Sequence, residues 1–229
     1  MASKTPSTQA TARAPTRELD ESVGQRLRQR RSETQLSLRE LARRLGISPS
    51  ALSQIETGKS RPSVSTLYAI VSELGMSLDE LFASDGARAT VSRHATARDE
   101  PRVQRSGTRS AIELESGVRW ERLTPAPDPA VDFLYVVYAV GGASSGTEHF
   151  IRHAGREYGI VLSGALEVTV GFDTYVLEPG DSICFDSTTP HRLRNAGEVP
   201  VTGVWFTTGR GGDSRVPEGA TSATARPAT

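Results

Sequence analysis

The stretch SLRELARRLGISPSALSQIETG, residues 37–58, decides the fold of the N-terminal part of this 229-residue chain. Ser37 and, three positions on, Glu40 form an S-x-x-E capping box ahead of apolar residues at 38, 41, 42 and 45, which share one helical stripe. Gly46 ends that helix, because only glycine enters the left-handed conformation at low cost. Ser48 caps a second helix with Pro49 at its first position, where a missing N–H costs nothing, and Leu52 and Ile55 supply its buried side. Ala42 is small where the two helices cross. Two short helices about a tight turn make a helix-turn-helix, whose second helix can enter the major groove of DNA.

The flanks extend the unit. Ser22 and Gln25 predict another capping box before a basic helix with Val23 and Leu27 inside. Ser63 after Pro62 starts a helix with Val64, Leu67, Ile70, Val71 and Leu74 on one face, and Ser77 with Glu80 begins a fifth, short helix ending near Phe82. Residues 19–84 then form a five-helix bundle. Its Leu41-Ala42, Gly46-Ile47-Ser48, Leu52 to Glu56, Gly58-Lys59 and Arg61-Pro62-Ser63 are similar to the Cro-like XRE family of helix-turn-helix regulators. Groove geometry makes Pro49, Ser50, Ser53 and Gln54 the candidates to meet base edges, with Gln54 able to pair bidentately with adenine. Lys59, Ser60 and Arg61, just past the helix, and Arg39, Arg43 and Arg44 are candidate phosphate positioners.

Charge supports that assignment. The chain is neutral overall, yet residues 23–61 hold nine basic against three acidic side chains, so the positive excess sits where phosphates are expected. No run of 18 apolar residues offers a membrane span, and residues 1–18, rich in Ser, Thr, Ala and Pro without an apolar core, read as a disordered arm and not a secretory signal. Residues 209–229 read as a disordered tail. The single cysteine, Cys184, excludes an internal disulfide and a multi-cysteine zinc site, and is expected to pack inside; a cytoplasmic protein is expected.

Residues 85–109 dissolve into Ala, Arg, Thr, Ser and Gly and read as a linker whose arginines can assist DNA binding nonspecifically. Beyond them the texture is β. Short strands are predicted at 131–140, 158–162, 166–170, 174–177, 182–185 and 201–206, separated by Gly, Pro, Asp and Asn, as in a sandwich or barrel. His153-Ala154-Gly155-Arg156-Glu157, then Gly164, Glu178-Pro179-Gly180-Asp181, Pro190-His191 and Asn195 resemble the two signature motifs of the cupin family of jelly-roll barrels, covering nearly all of residues 110–208. The spacings agree: three residues between His153 and Glu157, six from there to Gly164, ten between Gly180 and His191, three more to Asn195. The fold class is therefore α+β multidomain, a five-helix Cro-like bundle followed by an all-β cupin jelly roll.

The cupin resemblance implies metal chemistry. Full cupin sets use two histidines and a glutamate from the first motif and a histidine from the second; here Ile151 stands at the first histidine, leaving His153, Glu157 and His191. Two imidazoles and a carboxylate suit a divalent metal, iron or zinc best, with nickel or manganese compatible. His149 is not expected to substitute, since four residues along a strand span about 13 Å. A barrel also encloses an effector pocket, for which Arg119, Tyr135, Glu148 and Trp205 are the candidates, with Trp120, Tyr138, Tyr158 and Phe185 as further lining.

Two functions compete, and the intact basic groove and the recognition helix favour the first. One is a DNA-binding transcriptional regulator, not an enzyme and with no catalytic residues, whose barrel senses a small-molecule effector through a divalent metal. It would bind a double-stranded operator as a homodimer, because one helix-turn-helix contacts too few bases for selectivity. The other is a mononuclear iron cupin oxygenase, resembling the cupin epoxidases of phosphonate antibiotic synthesis, with the helices as an accessory domain.

Overall fold

The computed structural model describes residues 16–82, 102–147 and 149–209, without side-chain detail at 16–22. Residues 1–15 of the expected arm, residues 210–229 of the expected tail, most of the linker and Glu148 lie outside the described residues, whereas residues 16–18, expected in the arm, belong to the first helix. Four α-helices come first: α1 (Thr16–Glu33), α2 (Leu38–Leu45), α3 (Pro49–Glu56) and α4 (Val64–Glu73). No helix among the described residues is long and apolar enough to cross a membrane.

The local chemistry explains the boundaries. Ser37, Ser48 and Ser63 each accept the backbone N–H three residues on, at 3.1 Å, satisfying one orphan donor of α2, α3 and α4. Gly46 closes α2 at φ +67°, and Leu41, Ala42, Leu52 and Ile55 are buried between the helices. Three expectations are corrected. Glu40 does not return to its cap; its carboxylate turns to Arg43 and Arg44 at 2.7–3.0 Å, because an ionised partner outcompetes a backbone N–H. Helix α1 begins at Thr16, so Ser22 lies inside it and is no cap. The fifth helix is a five-residue 3-10 turn, Leu78–Phe82, so the bundle has four α-helices; the reciprocal Ser77–Glu80 cap exists, but too few residues follow to close α-helical turns.

Arg31 and Glu56 form a partly buried fork at 2.6 and 2.9 Å that ties α1 to the end of α3. Arg30 donates to the carbonyls of Leu74 and Gly75, just past the end of α4.

After a short 3-10 turn (Ser106–Thr108) come nine strands: β1 (Ala111–Glu113), β2 (Val118–Arg122), β3 (Val131–Tyr138), β4 (Arg156–Ser163), β5 (Leu166–Val170), β6 (Asp173–Leu177), β7 (Ser182–Asp186), β8 (His191–Arg194) and β9 (Val201–Thr208). They form two antiparallel sheets, one ordered β1-β2-β3-β9-β4-β7 and one ordered β6-β5-β8. Alternation along β2, β3 and β9 turns Trp120, Leu134, Val136, Tyr138 and Trp205 inward. Gly164, at φ +73°, makes the β4–β5 turn, where a Cβ would meet the Pro200 carbonyl at 2.8 Å. Asn195, quoted above within a metal-binding motif, is a staple: its amide donates to the carbonyls of Tyr138, Ala139 and Val199 and accepts from Gly197 N.

The helices sit on the barrel. Ser65 N donates to Ser144 O at 3.1 Å, Glu115 N to Pro62 O at 3.0 Å and Asp128 N to Asp79 Oδ2 at 2.9 Å; Arg122 lies 3.6 Å from Asp79.

Candidate functional site: a DNA-reading face and a metal-type donor triangle

On the reading head, Pro49, Ser50 and Gln54 are exposed and Ser53 is half-buried, all on the side of α3 opposite Leu52 and Ile55. The chain then folds back on the helix end: Lys59 N and Ser60 N both donate to Gln54 O, at 2.8 and 3.2 Å. Lys59, exposed, and Ser60 and Arg61, half-buried, are thereby held beside the residue assigned to base reading. Arg39 is exposed on α2. Arg43 and Arg44 are exposed but carry Glu40 as counterion, which holds the Glu40 carboxyl down at about 2 through hydrogen bonds from Arg43 and then Arg44. Arg109, at the end of the expected linker, is engaged within the barrel domain, paired with Glu121 at 3.3 Å and over the Tyr135 ring.

Inside the barrel, His153 on the turn before β4, Glu157 on β4 and His191 on β8 are all buried and offer donor atoms within 4.8 Å of one another. His153 Nδ1 contacts the Ala154 carbonyl at 3.0 Å and His191 Nδ1 the Thr189 carbonyl at 2.9 Å. A carbonyl can only accept, so each Nδ1 carries the proton and each Nε2 of a neutral ring presents a lone pair. Both Nε2 atoms face Glu157 Oε1, at 2.8 and 3.1 Å, itself an acceptor. His153 Nε2 and Glu157 Oε1 are buried without a hydrogen-bond partner among the described residues. Three lone pairs converging without a proton between them repel unless a cation stands there, and this donor set fits one.

Without a cation, the alternative neutralising charge is a proton on an imidazole. Burial would raise the Glu157 carboxyl, but the two imidazoles outweigh it and hold the group well below the usual carboxylate range. Burial opposes the charged form of His191, and Glu157 overrides it, so the ring is more basic than usual. Trp205 Nε1 donates to Glu157 Oε2 at 2.6 Å, fixing which oxygen faces the imidazoles. Trp205 can lean this far because Gly159 has no side chain: a Cβ there would lie 2.2 Å from Trp205 Cζ3.

Of the three described effector-pocket candidates, Trp205 alone lines the interior. Arg119 faces outward, held by Glu113 and Glu121, and Tyr135 lies under Arg109; strand parity turns Trp120, Leu134 and Val136 inward instead. Glu148 lies outside the described residues. Trp120, Tyr138 and Phe185 are interior, whereas Tyr158 is exposed, and so is Cys184, against the expectation of an internal cysteine. His149 is exposed and outside the triangle, though on a loop and not a strand.

Sequence reasoning missed Tyr68. This α4 residue is buried, stacks on His153 with ring centroids 4.4 Å apart and planes 15° from parallel, and meets Trp120 edge-on at 5.5 Å. The signal was available: apolar residues on α4 fill more than one stripe, the pattern of a helix buried on two sides. A cavity of about 20 Å³ adjoins Glu157 and His191, bounded by Val64 and Tyr68 from α4 and by Trp120, Leu134 and Trp205 among the barrel residues. A separate cleft of about 670 Å³ runs between the helices and the barrel, with Met76, Leu78 and Glu80 on one wall and Asp132, Arg152 and His153 on the other.

Residues 27–81 match the Helix-turn-helix family HTH_3, and residues 134–207 match the Cupin domain family Cupin_2. The HTH-type transcriptional regulator PuuR of Escherichia coli is 30% identical over 174 residues, 75% of this chain and 86% of PuuR. A crystal structure of an HTH_3 family transcriptional regulator from Vibrio cholerae superposes with a TM-score of 0.60 at 22% identity, covering 85% of this chain and 98% of that one, which establishes the shared fold. The hydroxypropylphosphonic acid epoxidase of S. wedmorenis aligns over 82% of this chain and 97% of its own at a TM-score of 0.39 and 20% identity, too distant to carry an argument about chemistry.

Proposed function

The chain belongs to the helix-turn-helix transcriptional regulators that carry a cupin domain, and from that premise we propose that residues 19–84 read an operator while residues 110–208 sense a small molecule at a divalent-metal site built by His153, Glu157 and His191. The observation that carries the reading is the pairing of an exposed, unobstructed α3 face with a buried triangle of three facing acceptors. Iron(II) or zinc suits the two imidazoles and one carboxylate. When bound, such an ion would supply a Lewis-acidic centre to which an effector can attach. Trp205 orients the carboxylate, and the Ala154 and Thr189 carbonyls hold the ring tautomers. The protein acts in the compartment that holds its DNA.

The dimer that operator binding requires is built through the barrels. Tyr158, Ile160 and Leu162 expose between 38% and 49% of their surface along the outer face of β4, beside the partly exposed Val204 and Phe206 of β9. A contiguous apolar face of this kind suits a subunit interface. Leu162→Glu in the full chain is expected to halve the mass in solution.

The test is operator selection from a random DNA library with the purified full chain. Binding is expected to be sequence-selective and to weaken steeply with salt. Gln54→Ala should cost about 1–3 kcal/mol and relax one base position, whereas Lys59→Ala should weaken all sequences alike. Absence of selective, salt-sensitive binding together with iron-dependent turnover of a substrate with oxygen would instead establish the oxygenase reading.

A further inference from the structure

The cavity beside Glu157 and His191 measures about 20 Å³. That is room for one water or one ion, whereas a small organic ligand needs a few hundred cubic ångströms. Something must therefore move before a ligand reaches the donor triangle. Most of the lining is fixed: Trp120, Leu134 and Trp205 stand on strands locked into the long ladder of β2, β3 and β9. Among the described lining residues only Val64 and Tyr68 belong to another body, the reading head. Tyr68 covers the face of His153, and the polar ties that seat α4 include Ser65 N to Ser144 O and, next to the helix, Pro62 O to Glu115 N and Asp79 to Arg122 and Asp128 N.

We infer that α4 is the removable lid of the effector chamber: a small molecule with one oxygen or nitrogen donor and an apolar body enters by taking the place of the Tyr68 ring, so chamber occupancy and the docked position of the reading head exclude each other. This rests on the sensing role given to the barrel above. The ligand's donor meets the triangle while its body meets Trp120 and the vacated face of His153. Since α4 is part of the bundle that carries α3, the signal needs no relay through the sheets; the displaced helix is itself in the DNA-binding unit.

The chain's two tryptophans, Trp120 and Trp205, both line the chamber and report on the lid. Acrylamide quenching of their emission is compared in the full-length wild type, Tyr68→Ala, and Asp79→Asn, which loosens the seat without touching the chamber. Both variants are expected to melt cooperatively and to be quenched at least threefold more efficiently. Unchanged quenching in Asp79→Asn overturns the lid, even if Tyr68→Ala responds, because removing a ring alone opens space without releasing a helix. In cobalt-loaded protein, imidazole is the probe, followed by the cobalt visible band. Both variants are expected to bind it at least tenfold more tightly than wild type, and equal affinity overturns the proposal. If no variant shows a cobalt band but quenching rises as expected, the metal assignment fails and the lid stands.

Discussion

Gly159 and Trp205 show how much of the site depends on one absent methyl group. With the indole ring 2.2 Å from where a Cβ would stand, Gly159→Ala must push Trp205 away and break its 2.6 Å bond to Glu157. Overpacking of this kind costs about 1–3 kcal/mol. The variant is expected to melt lower and, with the carboxylate unhinged, to bind zinc about 10–100-fold more weakly by calorimetry, the usual effect of losing an outer hydrogen bond to a ligand. At the opposite end of the chain, the Arg31–Glu56 fork makes a second residue-scale test. Glu56→Ala leaves a partly buried guanidinium without its carboxylate, so chemical denaturation should reveal a loss of about 1–3 kcal/mol. The three metal-type donors were legible from motif spacing, since His153, Glu157 and His191 fall on recognisable intervals. Neither Gly159 nor the fork was, because both depend on which side chain lies across a strand or a helix pair, and sequence intervals carry no such information.

Among the elements, the caps were the most readable feature. Ser37, Ser48 and Ser63 all accept the expected N–H, as local chemistry over four residues demands. Where a charged alternative lay one turn away, the local rule failed, and Glu40 chose its arginines. That choice has a sign. The Glu40 carboxyl is held at about 2, below its ordinary value near 4.5, so its stabilising contribution is complete above the ordinary value and is lost as pH falls toward 2. Thermal melts of Glu40→Gln should therefore lie below wild type at pH 6 and converge with it near pH 2; a constant gap across that window would show that the ion pairs contribute nothing. Strands β1, β2 and β8 escaped the reading because they are short and interleaved with charge, as in Val118-Arg119-Trp120-Glu121-Arg122. Strand parity also decided the pocket: at β3 it is Leu134, Val136 and Tyr138 that look inward, not Tyr135.

At the scale of the whole molecule, the two halves were each recognisable, but their junction was not. Tyr68 meets His153, and Asp79 meets Arg122, across stretches of chain too distant for any pattern to link. Metal removal is the test that belongs here. An ion bound at one hundred times its dissociation constant stabilises the folded state by about 2.7 kcal/mol, so treatment with a chelator should lower the melting midpoint, and added zinc should restore it. Equal midpoints with and without chelator would leave the donor triangle without a resident ion. The donors come from different parts of the fold: Glu157 lies on a strand of the larger sheet, His191 on a strand of the smaller one, and Trp205, which aims the carboxylate, on the last strand. A fragment lacking β9 therefore keeps all three donors but loses the Trp205 N–H that aims the carboxylate. A chain truncated before residue 201 is expected to hold a divalent ion more weakly than the full chain, because its carboxylate is no longer aimed at the two imidazoles.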